Sequence, residues 1–353
     1  MNEIRIEGKI YDPSGFISPF HRQLNLFLEE WFSQSPTLRL RTSGSTGTPK
    51  EITVRKEQML QSAKITCGFF GLKKNDKALL CLPLEYIAGK MMVVRALYAG
   101  LDLYPVEPDG HPLARTDVPF DFAAMAPLQV YNSLQVKEEK RRLSRIGRLI
   151  IGGGAIDETL EKELKEFPNA VYSTYGMTET LSHIALRRIS GAGAGRYYTP
   201  FPSVSLTLSE DGRLIADAPL VADKPLVTND IAELLPDGTF RIIGRIDNVI
   251  NSGGIKVQIE EVEQVLRPHI AGNFAITSIP HPKLGEAIVL LTEQPIDPVA
   301  LENAIKRLLP RHQQPMLIHT AGAIPQTGNG KTDRAATKQL AGKINLPSSR
   351  YIR

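Results

Sequence analysis

The 353-residue sequence predicts an α/β fold: a large layered α/β N-terminal domain with a strand-rich part, followed by a small α+β C-terminal domain. Three observations support this prediction. Short apolar runs alternate with helical patterns between residues 38 and 175, strands dominate after residue 187, and the texture changes again near residue 247. A chain of this length commonly forms two domains. We therefore expect a large domain over residues 1–246 and a small one over residues 247–353.

The first region alternates strand and helix. Apolar runs of four to six residues between helical patterns are typical of buried strands, and the sequence places them at residues 77–82, 101–106 and 148–151. Helices are predicted at residues 86–98 and 155–167. Such alternation favours layers of helices on a sheet.

The strand-rich part carries two hairpin signals. Asp-Gly pairs at 211–212 and 237–238 separate apolar runs, and both residues of such a turn tolerate positive φ. The predicted strands are residues 203–208, 213–216, 231–235 and 239–243. The domain boundary is expected at Arg245 to Asn248. Beyond it we expect a helix with apolar positions at 259, 262, 265 and 266, strands at 273–279, 286–292 and 316–320, and a helix at 298–309.

Composition excludes several classes of protein. Lys plus Arg number 42 and Asp plus Glu 38, a net charge of +4, which gives no basis for nucleic-acid binding. The basic cluster at residues 137–148 also contains Glu138 and Glu139 and is typical of a solvated helix face. Two cysteines without a CxxC pair fit a reducing compartment, and no apolar stretch is long enough for a membrane span. We expect a cytoplasmic protein.

The first motif is hydroxyl- and glycine-rich, and it ends with a lysine: Thr42, Ser43, Gly44, Ser45, Thr46, Gly47, Thr48, Pro49 and Lys50. Backbone N–H groups, hydroxyls and an ammonium group suit a polyphosphate. The spacing is not that of a Walker A loop. The alternative is a solvated hydroxyl-rich loop.

The second motif follows two predicted strands. Gly153 and Gly154 end one strand and leave room for a flat ligand. Tyr175, Thr178 and Glu179 follow the next and could stack a base, bind a phosphate and hold Mg²⁺. No dinucleotide-binding glycine fingerprint is present. The alternative is a core tyrosine before a capped helix start.

Two further motifs lie near the boundary and near the C-terminus. Asp230 and Arg245 could hydrogen-bond a ribose diol, and Asp247 lies where a hinge is expected. Lys331 lies in a glycine-rich turn. The alternatives are hairpin ends, a domain linker and a solvated lysine. No histidine pair has zinc-ligand spacing, so we expect any metal to arrive with a substrate.

In this order, the four motifs resemble the adenylate-forming superfamily of acyl- and aryl-CoA synthetases, luciferases and peptide-synthetase adenylation domains. The resemblance covers residues 40–334. Within the superfamily the chain is most similar to o-succinylbenzoate-CoA ligases of menaquinone biosynthesis. The small size supports this, as do the segment 82–89 followed by 95–100 and Tyr-Gly-Met-Thr-Glu-Thr followed by Leu-Ser-His.

The resemblance implies roles for the motif residues. Residues 43–50 would wrap the β- and γ-phosphates of ATP, and Thr178 would contact the α-phosphate. Glu179 would hold Mg²⁺. The remaining roles are adenine contacts, ribose contacts, the catalytic lysine, the hinge, and the turn lining the thiol's approach: Gly153, Gly154 and Tyr175; Asp230 and Arg245; Lys331; Asp247; Gly253 and Gly254.

The implied reaction has two halves. A carboxylate attacks the α-phosphorus of ATP, and coenzyme A then takes the acyl group from the adenylate. Positioning and charge neutralisation dominate the first half, and the small mobile domain would supply a different face for the second. The implied partners are therefore a small carboxylate, ATP with Mg²⁺, and coenzyme A.

Two features depart from the family pattern. The phosphate loop begins at Thr42, so we expect much of the usual N-terminal subdomain to be absent, and a homodimer partner could close that side of the pocket. Tyr86 replaces a common histidine beside the acyl pocket. The alternatives are therefore another aryl- or acyl-CoA ligase, an enzyme that loads a carrier protein, or a non-catalytic nucleotide-binding protein.

Overall fold

The computed structural model describes residues 4–12, 18–41, 51–156, 158–326, 332–343 and 350–351. The chain divides into two compact units. The first comprises Met1–Thr207, Ile215–Leu226 and Leu234–Arg241. The second comprises Leu208–Leu214, Val227–Glu233 and Ile242–Arg353.

Helices and strands alternate through the first 200 residues. In chain order they are β1 (Arg5–Ile6), β2 (Lys9–Ile10), α1 (Pro19–Phe32), β3 (Thr37–Arg41), β4 (Glu51–Arg55), α2 (Lys56–Phe70), β5 (Lys77–Leu80), α3 (Ile87–Ala99), β6 (Asp102–Pro105), β7 (Phe122–Met125), α4 (Pro127–Gln135), α5 (Lys137–Leu143), β8 (Arg148–Ile151), α6 (Glu158–Lys165), β9 (Ala170–Gly176), β10 (His183–Arg188) and β11 (Thr199–Pro200). The predicted α/β layering is confirmed.

Nine of these strands form one sheet in the order β11-β10-β9-β8-β7-β5-β6-β1-β2. The six strands from β9 to β1 in this order run parallel, and β2, β10 and β11 run antiparallel to their neighbours. Strand β5 lies between β6 and β7, so the next strand in sequence is added on one side of β5 and the one after it on the other side. Ligands of such sheets bind outside the carboxyl ends of the strands at this kind of reversal.

The core of the first unit lies between the sheet and its helices. Leu79, Ala123 and Leu149 of the strands are fully buried against Val130 of α4 and Leu164 of α6. Continuous apolar strands are expected where a parallel sheet is covered by helices. Strands β3 and β4 form a separate antiparallel hairpin, with Arg41 opposite Glu51.

The strand-rich part forms a four-stranded sheet in the order β12-β13-β14-β15: β12 (Ser205–Leu208), β13 (Arg213–Asp217), β14 (Leu226–Leu234) and β15 (Phe240–Arg245). Both predicted Asp-Gly turns are present, with φ of +80° at Gly212 and +82° at Gly238. Asp237 accepts hydrogen bonds from the backbone and hydroxyl of Thr239. Strand β14 begins five residues before the predicted start.

The second unit contains a mixed sheet and the C-terminal helices. Its remaining elements are β16 (Val249–Ser252), β17 (Ile255–Gln258), α7 (Ile259–Leu266), β18 (Phe274–His281), β19 (Gly285–Thr292), α8 (Pro298–Leu308), β20 (Leu317–Thr320), α9 (Arg334–Gly342) and β21 (Arg350–Tyr351). The strands pair in the order β17-β16-β19-β20-β21, with β18 also on β19.

Alternation along β18 and β19 gives this sheet two buried faces. Ile276 and Leu290 pack with α7 and α8, whereas Ala275 and Val289 face a second cluster that includes Ala341 of α9. Side chains of a strand alternate between faces, so two clusters from one pair of strands indicate helices on both sides. Among the described residues, no helix combines the length and apolar character that crossing a bilayer requires.

Candidate active site

The loops that follow β5, β8 and β9 lie at one edge of the parallel sheet. Residues 81–86 follow β5, Gly152–Gly154 follow β8, and Met177 to Ser182 follow β9. Strands β8 and β9 are neighbours, with Ile151 opposite Ser173. The structure therefore brings the glycine turn and the loop carrying Thr178 and Glu179 together, as the sequence predicts for strand ends.

The glycine turn lies close to the neighbouring strand. A Cβ atom added at Gly152 would collide with the hydroxyl of Thr174, and that hydroxyl donates to the carbonyl of Ile151. Gly153 is exposed and Gly154 partly exposed. The turn thus presents backbone rather than side chains at the carboxyl edge of the sheet.

Tyr175 lies inside an aromatic cluster. Its ring is 8% exposed and contacts Phe240 edge-on at 5.1 Å between centroids and Tyr198 at 6.0 Å. Tyr198 stacks on Phe240, and the hydroxyl of Tyr198 lies 2.7 Å from that of Ser173. Edge-to-face and offset pairs of this kind stabilise a rigid cluster. The assigned contact of Tyr175 with adenine stays a prediction.

The loop after β9 is pinned by Thr180. Its hydroxyl accepts from the backbone N–H of Met177 at 3.0 Å and lies within hydrogen-bond distance of the carbonyls of Met177 and Ser182. A 3₁₀ helix spans Thr178–Thr180, and Leu181 has φ of +64°. A positive φ is uncommon for leucine and marks backbone strain of about 1–3 kcal/mol. The strained loop presents the exposed carboxylate of Glu179.

We expect Gly176→Ala to destabilise this loop. A Cβ atom at this position would overlap the carbonyl of Ser182 and the Cα of His183, which are backbone atoms that cannot rotate away. Overpacking of this kind costs about 1–3 kcal/mol, so thermal unfolding should occur several degrees lower. Gly153→Ala is the comparison for an open position, although its φ of +79° adds strain of its own. An unchanged melting temperature for Gly176→Ala would contradict the close approach.

Arg95 of α3 is a residue that the sequence did not identify as part of a site. Its side chain is 1% exposed, yet no carboxylate of the described chain pairs with it. One guanidinium nitrogen donates to the hydroxyl of Ser182 at 2.6 Å, another contacts the sulfur of Met92, and Nε has no partner. Burial lowers the pKa of Arg95 to about 10, so the group stays charged at neutral pH.

His183 contacts the same hydroxyl of Ser182 as this guanidinium. Its Nδ1 is 3.2 Å from the hydroxyl of Ser182, and its Nε2 is 3.2 Å from the hydroxyl of Thr66 on α2. Burial, followed by the charge of Arg95, holds the pKa of His183 well below its usual value. The imidazole is therefore neutral at physiological pH.

Tyr86 precedes α3 and is 41% exposed. Next to it, a cleft of about 260 Å³ is lined by Arg39, Leu40, Glu51, Glu85 and Lys90. The first three belong to the strands that flank residues 42–50. The cleft thus lies between the strands that flank residues 42–50 and Glu85, the residue before Tyr86. The assignment of Tyr86 to an acyl pocket stays a prediction.

Four polar side chains form a network in the second unit. Arg245 donates to Asp230 at 3.0 Å and to Asp247 at 2.9 Å. The amide of Asn229 donates to both oxygens of Asp247 at 3.1 Å. Asp230 and Arg245, which the sequence assigned together to ribose, are thus brought together. Asn229 was not singled out, because its position between Thr228 and Asp230 gave no signal of its own.

The turn assigned to the thiol's approach is exposed. Gly253 and Gly254 connect β16 to β17, and the N–H of Gly253 donates to the carbonyl of Leu284 at 2.8 Å. This bond ties the turn to the hairpin between β18 and β19.

Several predicted residues lie outside the described part of the chain: Thr42, Ser43, Gly44, Ser45, Thr46, Gly47, Thr48, Lys50 and Lys331. The residues flanking Lys331 are described. Gln326 and Thr332 form an antiparallel bridge, and the N–H of Asp333 donates to the carbonyl of Pro325 at 2.8 Å. Arg334 then forms a bidentate ion pair with Glu263 of α7, at 2.6 and 2.7 Å.

Known proteins resemble this chain in sequence and in fold. The chain is 28% identical over 344 residues to a 2-succinylbenzoate–CoA ligase of Haemophilus influenzae, covering 91% of this chain and 73% of the relative. A solved acyl-CoA synthetase (AMP-forming)/AMP-acid ligase II-like protein from Dyadobacter fermentans is 34% identical, with 91% and 94% coverage and a TM-score of 0.62. Escherichia coli MenE with a bound analogue of OSB-AMS is 25% identical, with 86% and 68% coverage and a TM-score of 0.68.

The match to a family model falls on the part of the chain that builds the sheet and its loops. Residues 34–217 match the AMP-binding enzyme family. This range includes the strand ends with Gly153, Tyr175 and Glu179, so the resemblance inferred from the motifs is confirmed. The chain is a member of the AMP-binding enzyme family.

Proposed function

We propose that the protein is an ATP-dependent carboxylate-CoA ligase that acts through an acyl-adenylate and uses o-succinylbenzoate as its acid. Family membership and the ligases among its relatives support the reaction. The observation that carries the substrate is Arg95, a buried guanidinium that pairs with no carboxylate among the described residues. It donates to Ser182, which lies three positions after Glu179 in the sequence. Such a group favours an acid that bears a second carboxylate.

In the first half-reaction, one carboxylate of the acid attacks the α-phosphorus of ATP and pyrophosphate leaves. Thr178 would contact the α-phosphate, and Glu179 would hold the Mg²⁺ that enters with ATP. When bound, this ion would supply charge neutralisation at the phosphates. Lys331 would bridge the attacking carboxylate and the α-phosphoryl group, and residues 43–50 would hold the leaving phosphates.

In the second half-reaction, the thiol of coenzyme A attacks the acyl carbonyl and AMP leaves. The hinge at Asp247 would carry Lys331 away and bring the turn at Gly253 and Gly254 toward the thiol. Arg245 contacts both Asp230 and Asp247. We infer that the residue that holds the ribose also touches the hinge.

Arg95 would make the enzyme specific for an acid with two carboxylates. A carboxylate that reaches the guanidinium gains charge-assisted hydrogen bonds where water is excluded. A simple benzoate would offer the guanidinium no carboxylate, so Arg95 would keep only its contacts with Ser182 and Met92 among the described residues. We therefore expect selection against acids that lack a second carboxylate.

The test is carboxylate-dependent exchange of labelled pyrophosphate into ATP with coenzyme A omitted. The acids are o-succinylbenzoate, benzoates and short fatty acids. Exchange with o-succinylbenzoate alone is expected. Exchange with another acid would keep the mechanism and remove the substrate, and no exchange despite ATP binding would favour a non-catalytic nucleotide-binding protein.

Asp247→Pro is expected to slow thioester formation about tenfold more than adenylation, because proline fixes φ at the proposed hinge. Asp247→Ala is the matched control. It also removes the hydrogen bonds from Asn229 and Arg245 but leaves the backbone free to rotate. The two half-reactions are measured separately, with added acyl-adenylate for the second. Equal losses for proline in both would place the hinge elsewhere.

A further inference from the structure

The hydroxyl of Ser182 stands between the cationic Arg95 and the imidazole of His183. The oxygen accepts from Arg95 at 2.6 Å, and the opposite neighbour, Nδ1 of His183, lies at 3.2 Å. A guanidinium can only donate hydrogen bonds. The serine must therefore turn its oxygen toward Arg95 and its proton away from it.

The far end of the chain of contacts is also fixed. The hydroxyl of Thr66 donates to the backbone carbonyl of Ser62 at 3.1 Å, and a carbonyl can only accept. The oxygen of Thr66 then faces Nε2 of His183 at 3.2 Å as an acceptor. Because Arg95 can only donate and the carbonyl of Ser62 can only accept, all hydrogen bonds in this series run in the same direction.

One proton assignment satisfies every donor in this chain. Arg95 donates to Ser182, Ser182 donates to Nδ1 of His183, Nε2–H of His183 donates to Thr66, and Thr66 donates to Ser62. The other neutral tautomer would turn Nδ1–H toward Ser182 and leave the serine proton without a partner among the described contacts. An imidazolium would do the same and would add a second charge beside the guanidinium. Buried polar groups are nearly always paired, which favours the first assignment.

We propose that His183, as the neutral Nε2–H tautomer, is a positioning residue that orients Ser182 and thereby holds Arg95 for the second carboxylate of the substrate. The inference rests on the proposed function for the role of Arg95, but the proton assignment follows from this chain's own contacts. His183, Thr66 and Arg95 are 7%, 1% and 1% exposed. Side chains buried to this degree have few alternative rotamers, so loss of one hydrogen bond is passed on to the next group.

The kinetic test compares His183→Leu with His183→Gln. Leucine removes both hydrogen bonds of His183, so Ser182 is no longer oriented toward Arg95. KM for o-succinylbenzoate should then rise about tenfold, the effect of weakening one hydrogen bond to a charged group. The values of kcat and of KM for ATP should change little. Glutamine offers one acceptor and one donor and should restore most of the affinity. The exposed His269, changed to leucine, is the control. An unchanged KM in His183→Leu, or no rescue by glutamine, would overturn the positioning role.

The second test needs no substrate and reads the tautomer directly in the wild-type protein. A long-range ¹H–¹⁵N correlation spectrum of the wild-type protein at neutral pH reports the tautomer of each histidine, and His183→Gln assigns the signal. We expect Nε2 protonated and Nδ1 bare. A proton on Nδ1 would overturn the assignment. A wild-type protein without exchange activity would instead overturn the proposed function, with the spectrum still deciding the proton positions.

Discussion

Lys331→Ala is expected to reduce carboxylate-dependent pyrophosphate exchange by about 100- to 1000-fold, the usual effect of removing one group that stabilises charge in a transition state. The reaction joins two anions, and a single ammonium group near both contributes more in the transition state than in the bound ATP. ATP binding should therefore remain measurable. Exchange kinetics and ATP titration by calorimetry separate these two effects.

The second half-reaction supplies the control for Lys331→Ala. Acyl-adenylate added with coenzyme A bypasses adenylation, and thioester formation should then stay within about threefold of the wild-type rate. A variant damaged in its fold would lose both half-reactions. An unchanged exchange rate would remove Lys331 from the mechanism.

We expect Arg95→Met to weaken the binding of o-succinylbenzoate and, at the same time, to leave the free energy of unfolding unchanged or raise it. KM for o-succinylbenzoate should rise by about 100-fold, as expected when a charge-assisted pair with a buried guanidinium is lost. Burial already lowers the pKa of Arg95 to about 10, which shows that the charge is poorly solvated. Replacing buried charged groups with apolar ones is often neutral or stabilising by about 1–4 kcal/mol.

Both effects are measured on the same preparation, by steady-state kinetics and by thermal unfolding without ligands. Arg95→Lys is the control that keeps a charge but loses the planar donors, and it should fall between wild type and methionine in KM. A strong loss of stability in Arg95→Met with no change in KM would mean that the guanidinium supports the fold rather than the substrate.

The sequence predicts elements whose signal is local. Strands β5 and β8 are continuous apolar runs, and the Asp-Gly turns at Gly212 and Gly238 carry their own conformational preference. Helix α2 was not predicted. Its buried face includes Gln58, Ser62 and Thr66, and these polar residues interrupt the apolar period that marks a helix.

Contacts within the candidate site were predictable where both residues belong to a recognised motif, and not where one of them carries no motif signal. Asp230 and Arg245 were identified, yet Asn229 was not, because only the folded chain shows its amide against Asp247. Arg95 is the first residue of the segment 95–100 that supports the resemblance, but nothing in the sequence indicated a role for it in the site. Its contact with Ser182 spans 87 positions, and no spacing rule connects them.

The second unit consists of three separate segments of the chain, and this limits how the enzyme can be divided into fragments. The unit is assembled from residues 208–214, 227–233 and 242–353 rather than from one continuous stretch. A recombinant fragment that starts at residue 247 would lack the two earlier segments and, with them, the Asn229 amide that holds Asp247. The residues from 247 onward therefore cannot be exchanged between ligases as a complete unit joined at a single position. The shortest continuous stretch that keeps the whole unit begins at residue 208.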